Sequence, residues 1–116
     1  MAISKRGIFQ NPTKSPWNFE RYESELERRM MERLEKDPAV AKWMKRHSIS
    51  IAWVDSQNRQ RRYVPDFLVE YTDGQIALIE VKDPSRMESD DVKRKRSAAE
   101  RWCKRRGMKY VLYTLD

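Results

Sequence analysis

Three charged residues stand inside apolar sequence. The stretch RYVPDFLVEYTDGQIALIEVKDP, residues 62–84, carries Asp66, Glu80 and Lys82 within runs that otherwise read as buried strand. Burying a charge is costly, so such placements ask for a chemical reason. Thr72-Asp73-Gly74 is a tight-turn signal, with Gly74 supplying a positive φ. Asp66 lies seven residues before Asp73 and Glu80 seven after it. A hairpin turning there sets the two acids side by side on neighbouring antiparallel strands. Side chains alternate along a strand, so Lys82 shares the side of Glu80 and Val81 takes the other. Pro65 has no N–H, which breaks the ladder next to Asp66 and aims that side chain.

Two adjacent carboxylates repel unless a proton or a cation neutralises them. Mg²⁺ suits such a place, because it takes one or two carboxylates, keeps several waters and accepts phosphate oxygens. A metal so held lowers the pKa of a bound water and steadies a phosphate. A lysine two residues along holds the attacking water or offsets charge developing on the phosphate. Together these are the parts of a phosphodiesterase. Each piece alone is weak: E-x-K recurs by chance on solvated strand edges, and a cross-strand ion pair explains all three charges without chemistry. Their order, their hairpin register and their position at strand ends favour the metal reading.

The rest of the chain must position them. Its 116 residues suffice for one domain. Residues 1–18 show little periodicity and read as an extended N-terminal arm, leaving 19–116 as the domain. In FERYESELERRMMERLEKDPAVAKWMK, Tyr22, Leu26, Met30 and Leu34 recur at helical spacing. That predicts an amphipathic helix of about four turns ending near Asp37-Pro38, with a further short turn over Ala39–Lys45. Residues 48–55 read as a strand, 56–60 as a hairpin loop and 61–71 as a second strand. Residues 75–82 read as a third, central strand, apolar on both faces through Ala77 and Ile79, and through Ile76 and Leu78, and stopped by Asp83-Pro84. Residues 88–107 read as a second helix, with Ser89 as N-cap and Gly107 as its stop. Its apolar stripe is Val92, Ala99, Trp102 and Cys103. Residues 108–114 form a last strand. The expected class is α/β, in the order α-β-β-β-α-β.

The bulk numbers exclude several classes. One cysteine, Cys103, rules out an intramolecular disulfide and a cysteine zinc site. The lone histidine, His47, gives no support to Ser-His-Asp or His-rich metal chemistry. No run reaches transmembrane length and no signal-peptide core is visible, so a cytoplasmic setting and no membrane partner are expected. Net charge is +7, with 25 Lys and Arg against 18 Asp and Glu. That excess is clumped, which points to a polyanion. KRKR at 93–96 and KRR at 104–106 put seven cations on the second helix, and Arg59, Arg61 and Arg62 lead into the Asp66 strand. Lys42, Lys45 and Arg46 follow the first helix. Arg61, Arg62, Lys93, Arg94, Arg96 and Lys104 are the candidate DNA contacts. Such cations are needed because the acidic site itself repels phosphate. No helix-turn-helix or zinc finger is present to read bases.

YVPDFLVEY followed by IEVK resembles the PD-(D/E)XK nuclease signature, with Asp66 as its aspartate and Glu80 and Lys82 as its E-x-K. The resemblance implies a restriction-endonuclease-like core, a central mixed sheet flanked by helices. Upstream, RYESELERRMMERLEKDPAV is similar to the first helix of TnsA-type transposon endonucleases; SELE is also similar to phage endonuclease I, a junction resolvase. TnsA-type proteins carry Gln-Pro after that helix where this chain reads Arg46-His47, and they continue into a C-terminal domain. Either comparison puts the helix acid at Glu27. Glu23 lies one turn away on the same face, and physical reasoning alone leaves the two open. Most of Glu20, Glu25, Glu32 and Glu35 read as solvated helix acids. The resemblance implies Glu27, Asp66, Glu80 and Lys82 as catalytic residues. It implies Asp66, Glu80 and the Val81 carbonyl, with Glu27 as a further candidate, around Mg²⁺ or a substituting Mn²⁺. It brings double-stranded or branched DNA as partner, with a homodimer or a specificity-giving protein as further partners. Three functions fit: a TnsA-like endonuclease or nickase, a junction-resolving nuclease, and a basic DNA-binding protein without activity.

Overall fold

The computed structural model describes residues 6–83 and 89–114. Chain order is β1 (Gly7–Gln10), β2 (Phe19–Tyr22), α1 (Glu25–Lys36), β3 (Val40–Met44), β4 (Ile51–Val54), β5 (Gln60–Tyr63), β6 (Phe67–Tyr71), β7 (Ile76–Lys82), α2 (Asp90–Arg105) and β8 (Lys109–Thr114). A central mixed sheet runs β3-β6-β7-β8, antiparallel except for the parallel β7–β8 pair. It is the restriction-endonuclease-like α/β core, and within it the order α1-β3-β6-β7-α2-β8 is the expected α-β-β-β-α-β. Hairpins β1–β2 and β4–β5 form two separate two-stranded sheets.

The helices cover opposite faces of the central sheet. On one, α1 buries Met30, Met31 and Leu34 against Val40, Trp43, Phe67, Val69, Ala77 and Ile79. On the other, α2 packs Ala98, Ala99 and Cys103 on Leu78 and on Ile51 and Tyr63 of the β4–β5 hairpin. The period-two alternation of β7 sends Ala77 and Ile79 to one layer and Leu78 to the other. Ile76, expected inside, is 36% exposed at the strand's start. Between β6 and β7, Gly74 takes φ +89 and its N–H reaches the Tyr71 carbonyl at 3.0 Å.

Several elements differ from the sequence reading. Ala39–Lys45 holds strand β3 rather than a helical turn. A bulge between Val40 and Lys42 shifts its phase, so Val40 and Trp43 both point inward at a spacing that imitates a helix. The first helix begins at Glu25, because Ser24 caps it through a bond from the Glu27 N–H (3.2 Å), and Phe19–Tyr22 is strand. The strand expected over 61–71 breaks at Val64-Pro65-Asp66, and the strand expected over 48–55 lies in the β4–β5 hairpin outside the central sheet. Glu20 and Glu35 are not solvated helix acids. Glu20 is fully buried on β2. Glu35 accepts from the Thr13 N–H and hydroxyl, the Lys14 N–H and Trp43 Nε1, tying residues 13 and 14 to α1. Residues 7–22 pair as one hairpin across the expected 18/19 boundary. Ser89 caps α2 by accepting from the Val92 N–H at 3.1 Å; Pro84 and Glu88, the expected stop and start around it, lie outside the described residues.

Phe67 is fully buried at the start of β6, its ring edge-on to Trp43 at 5.9 Å. Phe67→Ala is expected to cost about 3–5 kcal/mol, whereas Ile76→Thr should stay within ~0.5 kcal/mol. Urea unfolding of both variants checks the contrast.

Candidate active site

The site forms where β6 begins and β7 ends. Phe67 pairs with Ile79, and the next step outward sets Asp66 beside Glu80. Two backbone donors hold the acids there. The Val81 N–H donates to Asp66 Oδ2 at 2.9 Å, and the Asp66 N–H donates to Glu80 Oε1 at 3.3 Å. The same Glu80 oxygen accepts from the Tyr63 hydroxyl at 2.8 Å, which lies 2.9 Å from the Tyr110 hydroxyl. Pro65, with no N–H to give, lets the chain leave β5 and turn into β6 between those anchors. Its carbonyl lies 2.7 Å from His47 Nε2, while His47 Nδ1 accepts from the Ile49 N–H at 3.2 Å. That arrangement fixes the Nε2–H tautomer, and burial holds the imidazole below its usual pKa, so it is neutral.

Burial is the largest influence on both carboxyls, and repulsion from Glu80 adds to it at Asp66, whose pKa rises from 3.8 to about 7. Glu80 is also raised by burial, with the Tyr63 bond and the Lys95 ammonium opposing. Buried Tyr63 and half-buried Tyr110 stand beside this charge; the Tyr110 phenol is pushed up to about 12, chiefly by burial, and Tyr63 is raised further still.

Glu27, in the first turn of α1, pairs with Lys45 at 3.2 Å; their side chains are only 14% and 20% exposed. Both act on Asp66, Glu27 raising its pKa and Lys45 lowering it. Glu27 also accepts from the Glu23 N–H at 3.0 Å. Glu23 is exposed and bridges to Arg6 at 3.3 Å. The helix acid beside the site is therefore Glu27. Lys82 is half-buried on the Glu80 side of β7, opposite Thr114 of β8.

Among the described residues, no set of three or more Asp, Glu, His or Cys side chains converges on one metal-sized point. The donors at hand are Asp66, Glu80 and main-chain oxygen. An all-oxygen set with two crowded, half-buried carboxyls has the donor type of a hard divalent cation site that completes its shell with water and phosphate.

The expected DNA contacts divide. Arg61, Arg62 and Arg94 line a groove of about 720 Å³ between the β4–β5 hairpin and α2, joined by Arg101. Arg61 bonds Asp55 and Arg62 bonds Ser50. Arg94 bridges to Asp90 and Arg96 to Glu100. Lys93 and Lys104 are exposed on α2 without lining that groove. The sequence reading did not place Lys95 at the site. Its ammonium sits 4.6 Å over the Tyr63 ring and acts on Glu80. The signal was present, because Lys95 is one helical turn before Ala99 on the buried stripe.

The family described as TnsA-like endonuclease N terminal matches residues 37–115. The chain belongs to this family. The match takes in Asp66, Glu80, Lys82 and Lys95 and begins after α1, so Glu27 lies outside it. No curated protein matches the chain. A TnsA-like domain is a nuclease domain, with DNA as its implied substrate. No helix among the described residues is long and apolar enough to cross a membrane.

Asp66 has a higher pKa folded than unfolded, so its contribution to stability is intact below about pH 4 and is lost as pH rises through 7. In a chelating buffer, the melting temperature of the protein should fall over that interval. Asp66→Asn should fall less and exceed wild type by roughly 3–6 °C at pH 8. Calorimetric melts at pH 4.5 and pH 8 check both signs.

Proposed function

We propose that the protein is a metal-dependent DNA endonuclease that hydrolyses phosphodiester bonds, with a nick as its unit event. The observation that carries this reading is the hydrogen-bonded juxtaposition of Asp66 and Glu80 on adjoining strands, with Lys82 on the Glu80 side, in a TnsA-like domain. Asp66, Glu80 and the Val81 carbonyl would hold Mg²⁺, for which Mn²⁺ would substitute. The ion supplies charge stabilisation at the phosphate and a more acidic water.

The chain's own groups do the rest. The Val81 N–H and the Tyr63 hydroxyl fix one oxygen of each carboxylate, so the pair is oriented before anything binds. Lys82 offsets the charge that develops on the phosphate, or holds the water that attacks it. Lys95 supports Glu80 in its ionised form from the helix side. Glu27, held by Lys45, adds negative charge at the rim. Arg61, Arg62, Lys93, Arg94, Arg96, Arg101 and Lys104 supply the cations that offset repulsion between DNA and these acids.

Supercoiled plasmid should be nicked in Mg²⁺ or Mn²⁺ and left intact in Ca²⁺ or a chelator, since calcium's longer, looser coordination positions water poorly. Full activity in chelator contradicts the proposal. Lys82→Ala should lose about 100-fold or more in nicking rate, with a melting temperature within ~2 °C of wild type. Equal nicking by that variant makes Lys82 a bystander.

Lys95→Ala should lower nicking and reduce the slope of log binding constant against log salt by about one. An unchanged slope, measured by anisotropy across a salt series, confines Lys95 to supporting Glu80.

A further inference from the structure

Beside the carboxylate site lies a second built feature that the cleavage chemistry does not use. The loop joining β1 to β2 presents Trp17, 41% exposed. The Arg46 guanidinium lies 4.8 Å from the Trp17 ring centre and 4.6 Å from that of Phe19. Arg46 is pinned: it donates to the Phe19 carbonyl at 2.6 Å, and its Nε lies 3.6 Å from Glu20 Oε1. Glu20 is fully buried, and that oxygen makes no hydrogen bond. Its other oxygen accepts from the Ser15 hydroxyl at 2.8 Å and the Lys45 N–H at 3.1 Å. A buried carboxylate is thus committed to anchoring the Trp17 loop and Arg46 together, an expensive arrangement for a mere surface loop.

Next to this stack opens a pocket of about 550 Å³. Met44, Ile49 and Leu68 give it apolar lining, and Trp17, Arg46 and His47 give it aromatic and cationic lining. Its lining shares segments with the carboxylate site, since Leu68 is two residues from Asp66 on the same side of β6. His47 holds the carbonyl of Pro65, the residue before Asp66, and Lys45, the residue before Arg46, pairs with Glu27.

We propose that this pocket receives an unpaired nucleobase from the DNA strand engaged at Asp66 and Glu80, so that the protein favours DNA whose base is unstacked beside the cut. The inference rests on the DNA-cleaving reading above and names its substrate class. Aromatic rings and guanidinium planes are the surfaces on which splayed bases stack. A base inside an intact duplex cannot reach such a pocket; a bulged or mismatched one is extruded at the least cost. The clumped positive charge favours a polyanion over an apolar peptide, and Leu68 and His47 tie the pocket to the strand and loop that carry Asp66.

The test uses the full chain in chelator, where no cleavage intervenes. Two DNAs carry one 2-aminopurine, either paired in a duplex or as a single-base bulge. Wild type should bind the bulge about 10-fold more tightly, the scale of one base–aromatic stack, and quench its fluorescence. Trp17→Ala should bring the ratio of affinities toward one and abolish the quench, while Trp17→Phe keeps most of both. Trp17 is exposed, so its truncation leaves no core cavity, and a melt verifies the fold. Equal binding of both DNAs by wild type, or a preference that survives Trp17→Ala, overturns the inference and leaves the nuclease reading standing. No binding of either DNA overturns this inference, and the nuclease reading is then judged separately by plasmid nicking in Mg²⁺.

Discussion

The register of the β6–β7 hairpin is the constraint on which the site depends. Gly74 closes the turn, Phe67 meets Ile79, and Asp66 then has no choice but to stand beside Glu80. A slip of one residue would send Phe67, Val69, Ala77 and Ile79 to the wrong layers as well as part the acids. The apolar pattern that fills the α1 face therefore also enforces the position of the two acids. The core and the site share one geometric cause.

That position is costly, and much of the surrounding structure offsets the cost. Two half-buried carboxyls at one point repel, and burial deepens the penalty. The Val81 N–H, the Asp66 N–H and the Tyr63 hydroxyl meet them with directed donors. Lys45 and Lys95 approach from β3's end and from α2, so cations flank the pair on two sides. A divalent ion placed between the two acids would neutralise the repulsion that persists between them. Further basic residues stand on α2 and the β4–β5 hairpin, where Arg61, Arg62 and Arg94 line one groove.

Much of this was legible in the sequence, for identifiable reasons. The hairpin pairing of Asp66 with Glu80 follows from one turn signal and a count. The two layers of β7 follow from alternation, and the N-cap of α2 from Ser89. What failed to read had competing signals. The bulge in β3 gave Val40 and Trp43 a helical spacing. Tyr22 fell by chance on the helix period of α1 although it belongs to β2. Glu20 and Glu35 looked like surface acids, because nothing local shows that the residues before α1 fold back to bury one and bond the other. Choosing Glu27 over Glu23 needed three-dimensional facts, the contact with Lys45 above all. Lys95 was lost inside a run of four cations, where helix geometry, not composition, decides which one faces inward.

The central claim is that Asp66 and Glu80 form a divalent-cation site, and titration calorimetry with Mn²⁺ tests it most directly. Wild type should show saturable binding at neutral pH that is lost in Asp66→Asn and in Glu80→Gln, with both variants folded by circular dichroism. No saturable binding by wild type, or binding retained in both variants, would contradict the account and leave the two acids as a buried pair that shares a proton.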